Sequence, residues 1–103
     1  MKHIEIMMFE GCPHMHAALE RAHSAAASTG VASSVSVVRI GSLAEAVDRR
    51  FLGSPSVRVD GIDVEPAARG RIDFGIQCRL YPVGSGFEAA PPVTWIAAAL
   101  RGE

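Results

Sequence analysis

The sequence predicts one α/β domain over residues 1–103, with the element order βαβαββα, a mixed four-stranded sheet and flanking helices. Two observations predict this class. An apolar run, a segment of helical periodicity and a second apolar run follow one another, which is typical of a βαβ unit with parallel strands. Further along, two short alternating segments flank Asp60-Gly61, the strongest short-range hairpin signal. A chain of 103 residues is long enough to bury its own core.

The first strand is predicted over residues 4–9, where the chain is almost continuously apolar. The first helix is predicted over residues 13–29, because apolar residues recur there at spacings of three and four. Pro13 suits the first helical position, whose N–H has no partner within a helix. Gly30 suits the position just after a helix end.

The second strand is predicted over residues 34–40, which alternate at first and then become nearly continuously apolar. A short helix is expected to follow, since Ser42 and Glu45 have the spacing of a capping box. Its apolar stripe and its end are predicted at Leu43, Val47, Phe51 and Gly53.

The second half predicts an antiparallel hairpin that is entered through Ser54-Pro55, since a proline just before a strand leaves the hydrogen-bond ladder intact. Residues 65–91 are expected to form an irregular insertion before the last helix. This insertion is rich in glycine and proline but too apolar for a disordered linker, and such long loops are usually functional. The last helix is predicted over residues 93–100, after Pro91-Pro92.

Composition excludes several classes of partner. The net charge of −1 and the absence of a basic stripe argue against nucleic acid. No signal-peptide pattern and no run of about 18 apolar residues is present, so we expect a cytoplasmic protein without membrane association and with reduced thiols. The sequence predicts no cofactor and leaves the oligomeric state open. With only two cysteines, a Cys-only zinc site cannot form within one chain.

Cys12 lies at the junction between the first strand and the first helix, between Gly11 and Pro13. Unpaired N–H groups and the positive end of the helix dipole favour thiolate over thiol at such a position. The pattern therefore predicts a reactive or metal-ligating thiol. The alternative is a small buried hydrophobic residue, the commonest role of a lone cysteine.

A soft-metal site is a second reading of this segment, because thiolate and imidazole ligands suit copper and related metals. Successive helical residues diverge by about 100°. His16 is therefore the better companion for Cys12, whereas His14 is expected to point into solvent near the thiolate. The metal-ligating set in this alternative is Cys12, Cys78 and His16.

Taken together, the Cys-Pro at the first helix, the Ser-Pro before the third strand and the hairpin with a final helix make the chain resemble the thioredoxin-like superfamily. It is also similar to small bacterial thioredoxin-family proteins with a Cys-Pro-x-x motif, some of which are labelled in relation to alkylmercury lyase. Residues 53–61, Cys78-Arg79-Leu80-Tyr81 and the proline-initiated last helix carry this similarity. The resemblance covers the chain except the insertion at 65–91, and it implies a cis Ser54–Pro55 bond.

The resemblance implies redox chemistry in which Cys12 attacks the disulfide of a protein or small molecule. The substrate-binding residues are then Pro13, His14, Ser54 and Pro55. The segment Ser54-Pro55, called the proline loop below, is expected to bind an extended backbone of the partner. The chain departs from the dithiol pattern, because the motif reads Cys-Pro-His-Met and has no second cysteine.

Once that fold is granted, the hairpin returns the insertion to the Cys12 end of the sheet, which makes Cys78 a candidate resolving thiol. A structural cysteine is the alternative for Cys78. Two other functions stay open, a non-catalytic module that captures a soft metal or organomercurial and an interaction domain with inert thiols. Asp73 and Arg79 are expected at the solvated surface, and Trp95 is expected to pack under the insertion.

Overall fold

The computed structural model describes residues 1–103 and contains three α-helices and six β-strands. None of the helices is long and apolar enough to cross a lipid bilayer. The helices are α1 (Met15–Thr29), α2 (Leu43–Asp48) and α3 (Val93–Arg101), and the strands are β1 (Lys2–Met8), β2 (Ser33–Arg39), β3 (Ser56–Val59), β4 (Ile62–Asp63), β5 (Tyr81–Val83) and β6 (Gly86–Glu88).

The main sheet has four strands in the order β2-β1-β3-β4, which confirms the predicted α/β class with a mixed four-stranded sheet. Strands β1 and β2 are parallel, whereas β1–β3 and β3–β4 are antiparallel. Met7 near the end of β1 lies opposite Ser56 at the start of β3. The turn after β1 and the segment before β3 therefore lie at the same end of the sheet.

Helices cover the sheet on both faces, because alternate strand residues point to opposite sides. Helices α1 and α3 pack on the face that carries Ile4, Ile6, Val57 and Val59. A smaller cluster on the other face contains Met7, Ile40, Ala46 and Phe51.

Local signals set several boundaries as predicted. Gly30 ends α1 with φ 67°, and the Ser42 hydroxyl accepts a hydrogen bond from the Glu45 N–H at 3.1 Å at the start of α2. Asp60 and Gly61 both have positive φ, 51° and 83°, as a two-residue hairpin turn of type I′ requires.

The start of α1 differs from its prediction. The helix begins at Met15, with His14 as its N-cap residue, so Pro13 is not in the first helical position. The chain first makes a turn in which the Cys12 N–H donates to the Phe9 carbonyl at 3.2 Å, with Gly11 at φ 84°. Pro13 and His14, which the helix was predicted to include, lie in a second turn between Cys12 and Met15.

Helix α2 is shorter than predicted, and its apolar stripe is different. It ends at Asp48, and the Leu43 and Val47 residues are 63% and 54% exposed, so their predicted burial is wrong. Only Ala46 of this helix is buried, because the chain then turns back and carries Phe51 into the core. The Phe51 N–H donates to the Ala46 carbonyl at 2.7 Å, which closes that turn.

The insertion is more ordered than predicted. Strands β5 and β6 form an antiparallel hairpin, and an isolated parallel bridge joins Cys78 to Ser54. Trp95 of α3 packs edge-on against the ring of Tyr81 with their centroids 6.2 Å apart, which confirms its predicted position under the insertion.

Candidate functional site

Cys12 lies in the turn that joins β1 to α1. Its side chain is half-buried and its thiol is free. Pro13 and His14, predicted to bind substrate, are both exposed beside it. The turn thus presents Cys12 between the buried end of β1 and an open surface formed by the next two residues.

Ser54 and Pro55 are buried and lead into β3, joined by a cis peptide bond. The Ser54 N–H donates to the Gln77 carbonyl at 2.8 Å, and the Ser54 carbonyl accepts from the Arg79 N–H at 3.1 Å. Both backbone groups of Ser54 are therefore bonded within the chain. The position predicted to hold an extended partner backbone is occupied by residues 77–79.

Cys78 lies beside Ser54, is exposed, and has a free thiol. The Arg79 side chain bonds the Cys78 segment to Asp63 of β4, while Cys12 follows β1 on the other side of β3. A disulfide joins Cα atoms within about 7 Å, and both thiols are free in this structure.

Arg79 anchors the Cys78 segment from beneath, and its predicted surface position is wrong. Its side chain is 1% exposed. It donates to both oxygens of Asp63 at 2.7 and 2.9 Å, to Glu65 at 3.0 Å and to the Ser56 hydroxyl at 3.0 Å. By contrast Asp73 lies at the surface as predicted, paired with Arg71.

The guanidinium of Arg79 keeps its positive charge although it is buried. Burial alone would lower the pKa of the Arg79 guanidinium, but its hydrogen bonds to Asp63 and the nearby carboxylates raise that pKa above its ordinary value. The guanidinium carbon also lies 4.5 Å from the centre of the Tyr81 ring, and a cation over an aromatic face is stabilised. Arg79 therefore stays charged and holds the buried Glu65 carboxylate and the partly buried Asp63 carboxylate at the base of the insertion.

Tyr81 joins the insertion to the proline loop. Its hydroxyl donates a hydrogen bond to the Pro55 carbonyl, and its side chain is completely buried. Burial raises the pKa of the Tyr81 phenol well above its usual value of 10.0. The neutral phenol is thus the form that the fold requires.

We expect tyrosinate absorbance to stay absent until the protein unfolds in alkali. Tyr81 is the only tyrosine, so the signal is unambiguous. A phenol whose pKa is raised by folding contributes stability below about pH 10, and that contribution is lost as the pH rises above 10. Ultraviolet absorbance and circular dichroism recorded in one alkaline titration should therefore change together. Tyrosinate appearing near pH 10 in the folded protein would contradict a buried phenol.

The predicted metal ligands do not come together. No group of three or more His, Cys, Asp or Glu side chains is placed to hold a metal ion. His14 and His16 are exposed, and Cys12, Cys78 and His16 do not form a three-ligand set.

Comparison with protein-family models, with curated proteins and with solved structures finds no match to this chain. The residues at this end of the sheet therefore carry the functional argument by themselves. Three features at this end can take part in chemistry or binding. They are the two free thiols, the buried Ser54-Pro55 segment and the ion-pair cluster around Arg79.

Proposed function

We propose that the protein carries out thiol–disulfide chemistry on a thioredoxin-like fold, with Cys12 as the attacking thiolate and Cys78 as the resolving thiol. The strand order β2-β1-β3-β4, the cysteine in the turn before α1 and the Ser-Pro before β3 support the proposal. The pairing of Cys78 with Ser54 is the observation that carries it. This pairing puts a second, exposed thiol at the sheet end where Cys12 lies.

The reaction has two exchange steps. The Cys12 thiolate attacks one sulfur of a substrate disulfide, forms a mixed disulfide and releases the other substrate sulfur as a thiolate. The Cys78 thiolate then attacks the Cys12 sulfur, which forms the Cys12–Cys78 disulfide and releases the second substrate thiolate. Two electrons pass from the protein dithiol to the substrate, and an external thiol reductant returns the protein to its reduced form.

Movement of residues 77–79 links the two steps. An extended partner can pair with Ser54 only after Gln77 and Arg79 give up their backbone bonds to it. The same release frees Cys78 to approach Cys12. A partner that displaces residues 77–79 therefore also allows the Cys78 thiol to reach the mixed disulfide on Cys12.

The test is to mix the reduced protein with glutathione disulfide and follow intact mass over time. Wild type should form an internal disulfide with only transient glutathione adduct. Cys78→Ser should stop at the mixed disulfide on Cys12, and Cys12→Ser should react far more slowly than wild type. Circular dichroism of each variant checks that the fold is retained.

Other outcomes would redirect the assignment. If both cysteines take up glutathione independently and no internal disulfide forms, Cys78 is not a resolving thiol. If neither thiol reacts and one equivalent of mercuric ion protects both from alkylation, soft-metal capture replaces redox exchange. If neither reaction occurs, both thiols are structural.

A further inference from the structure

A cavity that neither cysteine lines opens beside the β3–β4 hairpin. It has a volume of about 240 Å³, is open to solvent, and is lined by the β3–β4 hairpin, the chain after α2 and the first part of the insertion. Four arginines line it, which is unusual in a chain with ten basic residues and a net charge of −1.

Three of these arginines have no acidic partner. Arg50, Arg58 and Arg69 take part in none of the salt bridges of the structure. The one carboxylate in the cavity wall, that of Asp63, has both oxygens bonded to Arg79. Arg79 is one cation shared by Asp63 and Glu65, so one negative charge of that pair remains beside the cavity. The three arginines without ion pairs still leave the wall with a net positive charge.

These three guanidiniums are held in place by neutral groups. Arg58 donates to the carbonyls of Arg49 and Arg50 at 2.8 Å each, and the Arg69 Nε donates to the Asp63 carbonyl at 3.0 Å. Arg50 lies 5.0 Å over the ring of Phe74 and has a φ of 56°, a left-handed conformation uncommon outside glycine. Arg50 directly follows the C-cap residue of α2, a position where helices commonly end in this conformation. These contacts orient the three guanidinium groups, and because the contacting groups are neutral they leave the positive charges unpaired.

Apart from Asp63 and Arg71, the rest of the wall is apolar. Leu52, Ile62 and Phe74 line the cavity between the arginines. Its volume is below the range of about 300–1,000 Å³ that is usual for drug-sized ligands, so its occupant is small. The wall combines an apolar surface for a ring with fixed donors for an anionic group.

We infer that this cavity binds a small aromatic phosphate monoester. A phosphate monoester carries about −1.5 to −2 charge at neutral pH and has three acceptor oxygens. It therefore matches three guanidinium groups better than a ligand with one carboxylate, which has a single charge and two oxygens. Guanidinium groups bind phosphate oxygens with directed hydrogen bonds, and the apolar wall takes the ring. The site uses neither cysteine, so it is independent of the proposed redox function.

Phenyl phosphate is the probe, titrated into the intact protein and followed by calorimetry and amide chemical shifts. We expect it to bind more tightly than inorganic phosphate, benzoate or phenol, with shifts centred on the residues of the cavity wall. Its affinity should fall as salt rises, because the interaction is between charges. Arg50→Gln and Arg69→Gln should each weaken binding by about tenfold or more, the effect of losing one charge-assisted hydrogen bond.

Arg49→Gln is the matched control, since Arg49 is an exposed neighbour whose side chain does not line the cavity. It removes the same charge and should leave the affinity within about twofold of wild type. Equal weakening in the control would reduce the effect to general attraction and overturn the site. Benzoate binding as tightly as phenyl phosphate would overturn the phosphate assignment, and absence of binding would overturn the inference altogether. Circular dichroism separates these results from loss of fold.

Discussion

Arg79→Met is expected to lower the free energy of unfolding by about 3–5 kcal/mol, because removing one partner of a buried ion pair leaves an uncompensated charge. Here two carboxylates, Asp63 and Glu65, lose their only cationic partner. Methionine keeps much of the volume, so the loss reports charge and hydrogen bonding more than a cavity. Urea denaturation followed by the fluorescence of the single tryptophan, Trp95, measures it.

Two controls interpret that loss. Arg71→Met also breaks an arginine–aspartate pair, but Asp73 is 59% exposed and the cost should stay below about 1 kcal/mol. The triple variant Arg79→Met/Asp63→Asn/Glu65→Gln removes the buried charges together, and we expect it to recover about half or more of the single-variant loss. If Arg79→Met costs no more than Arg71→Met, the cluster is not an anchor.

The same substitution also bears on the thiols. The Arg79 N–H is bonded to Ser54, and its side chain fixes the segment that carries Cys78. In the fraction of Arg79→Met that stays folded, we expect faster alkylation of Cys78 and little change at Cys12. This difference separates local release of the insertion from global unfolding.

The sheet was predictable because its signals are local. Apolar periodicity identified β1, α1 and β2, and Asp60-Gly61 identified the β3–β4 hairpin. The β5–β6 hairpin also had a usable signal that the interpretation of an irregular insertion overlooked. Gly84-Ser85 is a two-residue loop of the kind that joins paired strands.

The position of Arg79 was not predictable from its neighbours in sequence. An arginine between Cys78 and Leu80 is typical of a surface, and Asp63 with Glu65 looks like the polar face of a strand. Only the fold brings these residues together, across 16 positions of the chain, and only then do three charges become a buried network. The burial predicted for Leu43 and Val47 of α2 was wrong for a related reason, since only Ala46 of the six helical residues faces the core.

Gly53→Ala is expected to cost about 2–4 kcal/mol, from backbone strain and steric overlap together. Gly53 has a φ of 126°, a conformation that residues with a side chain rarely adopt. A Cβ there would lie 3.0 Å from both the Arg79 Cβ and the Gln77 carbonyl oxygen, and 3.3 Å from the Cys78 carbonyl oxygen. Two of these three atoms are backbone oxygens, so residues 77–79 must move away from Gly53, and we expect this to loosen their pairing with Ser54. Thermal and urea denaturation measure the cost.

Gly30→Ala is the reference for strain without overlap, because Gly30 has a φ of 67°, in the left-handed helical region, and a Cβ there meets nothing within 4 Å. It should cost about 1 kcal/mol, the strain alone. The excess at Gly53 combines the larger strain at φ 126° with the overlap with residues 77–79, so the thiol kinetics are needed to report the contact itself. If residues 77–79 are released as expected, Cys78 in Gly53→Ala should resolve the mixed disulfide on Cys12 faster than in wild type. Equal stability losses in the two variants, with unchanged thiol kinetics, would mean that the contact with residues 77–79 does not control Cys78.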